Sequence, residues 1–168
     1  MIGPKETVMR KLAPTLMLVM TGVLAWLSGL QAGALPRIDL AQAGPCLIDS
    51  QALTIDGGLE TVFYFPSVDG CGGGLAAPYP GVVFAHGFSM FGLYDGAAEN
   101  ADNGQHLASW GYVVAVPRLP DDAQARTASV QRALAYLETQ TRTVGSLLYH
   151  KIDVGRLATT GHSLGRRS

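Results

Sequence analysis

Charge is scarce in this chain. Only 15% of the 168 residues are charged and the formal net charge is −1. No basic stripe and no Lys/Arg cluster interleaved with aromatics appears, so nucleic-acid binding has no support. Cysteine is rarer still, with Cys46 and Cys71 alone. The four histidines (His86, His106, His150 and His162) form neither a His-x-x-x-His pair nor a Cys/His cluster, so no metal and no cofactor is expected. The glycine-rich run Asp69-Gly70-Cys71-Gly72-Gly73-Gly74 lacks a following Gly-Lys-Ser/Thr and a helix, so it reads as a flexible loop and not as a phosphate cradle. What is present is apolar: 48% hydrophobic content argues for a folded core of one modest domain, with 21 glycines to serve its loops.

The N-terminal segment reads as an address. Arg10 and Lys11 precede an apolar run from Leu12 to Leu30, and Ala32-Gly33-Ala34 offers small residues for cleavage after Ala34. Residues 1–34 are therefore expected to be a signal peptide, with Met9 as an alternative start and Ala41-Gln42-Ala43 as a second possible cut. An uncleaved anchor is the competing reading, since the run approaches the ~20 residues that span a bilayer. Pro14, Gly22, Ser28 and Gly29 make it a poor span, so membrane contact is expected only if cleavage fails. Pro45 argues against a lipid anchor on Cys46. Cleavage leaves nine basic and twelve acidic residues in a secreted or periplasmic chain. In an oxidising compartment Cys46 and Cys71 could pair, closing a loop of about 25 residues and contributing ~3 kcal/mol by the chain-entropy argument.

Residues 35–45 read as a linker and 46–168 as the domain. Thr61-Val62-Phe63-Tyr64-Phe65 is β-branched and aromatic and is stopped by Pro66, which predicts an antiparallel edge strand. Tyr79-Pro80-Gly81-Val82-Val83-Phe84-Ala85 and Gly111-Tyr112-Val113-Val114-Ala115-Val116 are continuous apolar runs, as in parallel strands buried on both faces. Helices are predicted over Ala97 to Trp110, stopped by Gly111 and weakened by Gly104, and over Thr127 to Gln140. In the second, Val130, Leu134 and Leu137 form the apolar stripe, with Arg126, Arg132 and Glu138 elsewhere on the helix. Asp121 and Asp122 read as a solvated turn. Asp153 to Arg156 predicts another turn, fixed by an Asp153–Arg156 pair. Ser89 to Gly96, rich in aromatics and glycine, is either a wall of a substrate pocket or an ordinary covering loop.

The apolar run Leu157-Ala158-Thr159-Thr160 leads into Gly161-His162-Ser163-Leu164-Gly165, a match to G-x-S-x-G. In such an elbow a strand turns sharply into a helix, and Gly161 and Gly165 clear space so that the Ser163 hydroxyl stands exposed. The N–H of Leu164, at the start of that helix, is a natural oxyanion donor. Upstream, His86-Gly87-Phe88 ends an apolar strand where such enzymes place the second oxyanion N–H. His86 and His162 are expected to shape the loop and elbow by local hydrogen bonds. None of the four histidines reads as the catalytic base, because each precedes or adjoins Ser163.

From Tyr79 to Gly165 the chain resembles secreted α/β hydrolases of the chlorophyllase, dienelactone hydrolase and cutinase-like polyester hydrolase group. The shared stretches are Pro80 to Phe88, Leu107 to Val114, Asp153 to Leu157 and the elbow itself. The resemblance implies the N-terminal half of an α/β-hydrolase fold, a mostly parallel sheet with flanking helices. It implies Ser163 as nucleophile, the N–H groups of Phe88 and Leu164 as the oxyanion hole, and hydrophobic small-molecule or polymeric esters as substrates. The group continues past its elbow to a catalytic acid and histidine, whereas here only Arg166-Arg167-Ser168 follow Gly165. If Gly165 to Ser168 are encoded as GGN-CGN-CGN-TCN with N = G, reading one base later gives three glycines in a row, so a shifted reading frame or a fragmentary gene product is expected, a short natural product being the alternative. An ester hydrolase that is inactive as a fragment, with an unpaired apolar sheet edge, is the expectation. The competing reading is a non-catalytic exported remnant that binds lipid or hydrophobic surfaces.

Overall fold

The computed structural model describes residues 38–88 and 95–163. The expected signal peptide at 1–34, residues 89–94 of the segment Ser89 to Gly96, and Leu164 and Gly165 lie outside the described residues. The described residues from Leu40 onward form one compact unit. Its elements, in chain order, are β1 (Cys46–Ile55), β2 (Leu59–Cys71), β3 (Tyr79–Ala85), α1 (Gly96–Glu99), α2 (Ala101–Ser109), β4 (Val113–Pro117), α3 (Ala123–Gln140) and β5 (Ile152–Gly161).

The five strands form a single sheet in the order β1-β2-β4-β3-β5. β2 is antiparallel to both β1 and β4, whereas β3 is parallel to both β4 and β5. The sheet is therefore mixed, which corrects the expectation of a mostly parallel one. The reason is β1, an exposed strand rich in polar residues that carries no periodic signal, and the hairpin it forms with β2. β2 is also not an edge. It runs through Pro66 and is flanked by β1 and β4. Pro66 is tolerated because β4 pairs only with Thr61 to Tyr64, so beyond that point one side of β2 needs no ladder donor.

Two apolar layers sandwich the sheet, and β4 shows how. Val113 and Ala115 pack with Phe63, Val83, Val130, Ala133 and Leu137 on the α3 face. Val114 and Val116 pack with Tyr64, Phe84, Ala97 and Ala108 on the opposite, α1–α2 face. Alternation of side chains along a strand explains why a continuous apolar run was needed there.

The helix predicted over Ala97 to Trp110 is broken at Asn100 into α1 and α2. Asp95 caps α1, accepting hydrogen bonds from the Ala97 and Ala98 N–H groups at 3.1 and 3.2 Å. Gly104 weakens α2 intrinsically but lets it sit on β2, since a Cβ there would collide with the Tyr64 ring. Gly111 ends the segment at φ +86°, a conformation that suits glycine. Asp122 does more than solvate a turn: it accepts from the Ala125 N–H at 2.7 Å and starts α3 a turn earlier than predicted.

Cys46 and Cys71 form the expected disulfide, closing the open end of the β1–β2 hairpin. A disulfide is compatible with an extracellular protein. Among the described residues no helix is long and apolar enough to cross a membrane. Just before β1, the Gly44 N–H donates to Ser109 Oγ at 2.8 Å and the Trp110 indole N–H to the Gln42 carbonyl at 3.1 Å.

Candidate active site

β3 and β5 are parallel neighbours whose ends lie level, Ala85 beside Gly161. The segments that follow, His86-Gly87-Phe88 and His162-Ser163, therefore emerge side by side at the carboxyl edge of the sheet. A Cβ at Gly161 would run into the Ala85 carbonyl oxygen, so only glycine allows the two strands to end this close. A Cβ at Gly87 would lie 3.2 Å from His162 Nε2 and 3.3 Å from Ser163 Cβ, which makes the bare backbone of Gly87 the surface on which the second segment rests.

Ser163 is exposed and has φ +54°, in the left-handed region that non-glycine residues seldom occupy. Such a conformation costs on the order of 1 kcal/mol or more and is held only where the surroundings impose it. Phe88 is 46% exposed. The two expected positions Ser163 and Phe88 are thus brought to the same edge, whereas Leu164 and Gly165 lie outside the described residues.

The loop after β3 is anchored from below by His86, which is buried. Its Nε2 accepts the Leu119 N–H at 2.9 Å, which leaves the ring proton on Nδ1 to donate to the Gly87 carbonyl at 2.8 Å. Burial, and then the nearby Arg126 cation, outweigh the Gly87 hydrogen bond and hold its pKa below the usual histidine value, so the ring is neutral. With both nitrogens engaged, His86 orients the loop and is not free to act as a base. His162 lies over the sheet end, its ring 6.4 Å from that of Phe84. His106 sits on α2, and His150, its ring tilted against that of Tyr149 with centroids 4.0 Å apart, lies just before β5 at the opposite end of that strand from Ser163.

Arg126 was not legible as a site residue. It is 0% exposed and occupies the same stripe of α3 as Val130, Ala133 and Leu137. From there it donates to the carbonyls of His86, Gly87 (3.5 Å) and Pro120 (2.9 Å). The spacing 126-130-133-137 was the available signal, and the charge of the side chain masked it. The predicted Asp153–Arg156 pair forms, with Arg156 Nε donating to Asp153 Oδ2 at 2.6 Å. That hydrogen bond and the one from the Gly155 N–H hold the Asp153 carboxyl below its usual range. The irregular pairing between Pro80 and Gly81 accommodates this turn inside β5.

Of the segment Ser89 to Gly96, Asp95 and Gly96 are described. Asp95 lines a cavity of about 250 Å³ with Leu53, Thr61, Val62, Ala97 and Arg118. His86, Gly87, Phe88 and Ser163 are not among its described lining residues. Arg118 pairs with both Asp95 and Glu60, which also lines the cavity. Among the described residues no cluster of His, Cys, Asp or Glu could hold a metal ion. No protein-family model matches the chain, and no curated protein matches its sequence. The fold and the site define a mixed α/β sheet with helices on both faces and a strained, exposed serine at the end of a parallel strand.

Proposed function

We propose that this chain is the N-terminal part of an exported α/β-hydrolase domain that cleaves carboxylic esters through an acyl-enzyme. Ser163 carries the reading: an exposed serine at φ +54°, directly after β5 and against Gly87 of the neighbouring strand end, has the strain and position of a nucleophile elbow. Two features of the topology support it. The companion loop follows the third strand of the sheet, where such enzymes place an oxyanion donor. β3 is also flanked by strands reached over opposite faces, β4 past α1–α2 and β5 past α3, which is the kind of switch point where open α/β sheets bind ligands. The disulfide supports export.

In this mechanism Ser163 Oγ attacks the ester carbonyl carbon as its proton passes to a histidine. The carbonyl oxygen becomes an oxyanion held by the N–H groups of Phe88 and Leu164, and collapse expels the alcohol with return of the proton. Water then attacks the acyl-enzyme by the same route and frees the acid. The histidine and its orienting acid are proposed to come from sequence following Ser168. The test compares the 168-residue chain with a version continued past Ser168 in the frame that supplies both groups, on a p-nitrophenyl ester. Activity in the continued chain that Ser163→Ala removes supports the proposal. Equal turnover by both chains, unaffected by Ser163→Ala, puts the active site elsewhere.

A further inference from the structure

The chemistry above makes no use of Arg126. A guanidinium with no exposure costs several kcal/mol of desolvation unless something specific is gained, and an aliphatic side chain would fill this position on the α3 stripe without that cost. Its Nε has no hydrogen-bond partner, so the site is not built to satisfy the arginine fully. The Nη groups instead reach main-chain oxygens, two of which, on His86 and Gly87, belong to the loop beside Ser163.

The Gly87 carbonyl matters most, because it shares one planar trans peptide with the Phe88 N–H, and the two point in opposite directions. That oxygen receives the His86 Nδ1–H at 2.8 Å and Arg126 Nη1 at 3.5 Å, both from the buried side. Donors gripping the oxygen fix the plane, turn the Phe88 N–H away from the core and polarise it into a better donor. We infer that Arg126 is a positioning residue: by holding the His86 and Gly87 carbonyls it orients the peptide whose N–H, on Phe88, receives the oxyanion. The inference rests on the ester-hydrolase reading.

The test uses the continued, active chain with Arg126→Lys and Arg126→Met. Lysine keeps the charge but cannot bridge separate carbonyls in a planar fork. The expected result is a fall in kcat of roughly 10- to 100-fold with KM within about twofold, since a donor is misaimed and not lost. Inhibition by a boronic acid that mimics the tetrahedral intermediate should weaken by the same factor. Folded variants with wild-type kcat and wild-type boronic acid affinity overturn the inference and leave Arg126 as a tie between α3 and β3. Ser163→Ala in parallel separates the two levels, because retained activity there defeats the hydrolase reading whatever Arg126 does. Should neither Arg126 variant fold, the wild-type guanidinium is read by NMR. Separate, slowly exchanging Nη protons, together with a Phe88 amide proton that moves downfield on boronic acid binding, support the inference. An averaged Nη signal or an unmoved amide contradicts it.

Discussion

The two segments that leave β3 and β5 start level on adjacent strands and are held in opposite ways. His86-Gly87 is buried and tied by hydrogen bonds to its surroundings: the imidazole of His86 accepts from the Leu119 N–H, and Arg126 of α3 donates to two of its carbonyls. His162-Ser163 is exposed, sits in a left-handed turn, and is constrained by close approach, with no room for a side chain at Gly161 or much at Gly87. Hydrogen bonding fixes one segment and steric exclusion shapes the other. On the proposed ester-hydrolase reading, the difference suits a division of labour in which a donor must hold still while a nucleophile stands clear of its surroundings.

The harshest way to break the contrast is Gly161→Val. Its side chain would strike the Ala85 main chain, which cannot move without parting β3 from β5, and the expected loss is about 3 kcal/mol or more in urea denaturation. Ser163 should lose its geometry at the same time. Destabilisation at a distance supplies the control. Cys46→Ser with Cys71→Ser should remove about 3 kcal/mol from the hairpin end of the sheet while leaving kcat of the folded, continued chain unchanged.

A gentler probe addresses the strain itself. Ser163→Gly abolishes the proposed nucleophile but relieves the positive φ, so the melting temperature should rise, by the equivalent of roughly 0.5–1 kcal/mol. A drop would mean that the serine side chain stabilises the turn. The smallest effect concerns His86. Its pKa is lowered by burial, so the unfolded chain binds the proton more readily than the folded one. Its contribution is full above the ordinary value near 6.5 and is lost as pH falls below that value. His86→Gln should flatten the pH dependence of stability in that window, and an unchanged slope would assign it to other groups.

Much of this contrast was legible from residue order. β3 and β4 announced themselves because strands covered on both faces must be apolar throughout, and the residue types at Gly161 and Ser163 are what the proposed elbow rests on. β1 was missed since an exposed edge strand, with Asp49, Ser50 and Gln51 at its centre, has no hydrophobic period to read. β2 was cut short at Pro66 because the rule that proline ends a strand assumes a partner on both sides. Arg126 was misplaced for a different reason. Its charge predicts solvent, and two of the three carbonyls that receive it, on His86 and Gly87, are some 40 residues away in sequence, on a loop whose approach to α3 only the tertiary structure reveals.

The role of Ser163 can be tested most directly by covalent capture. The continued chain is treated with a fluorophosphonate probe, digested with trypsin and examined by mass spectrometry. Cleavage after Arg156 releases a peptide that begins at Leu157 and contains Ser163. The account predicts the probe mass on that serine and no labelling of the Ser163→Ala protein. Label on another residue, or undiminished labelling after Ser163→Ala, would contradict it.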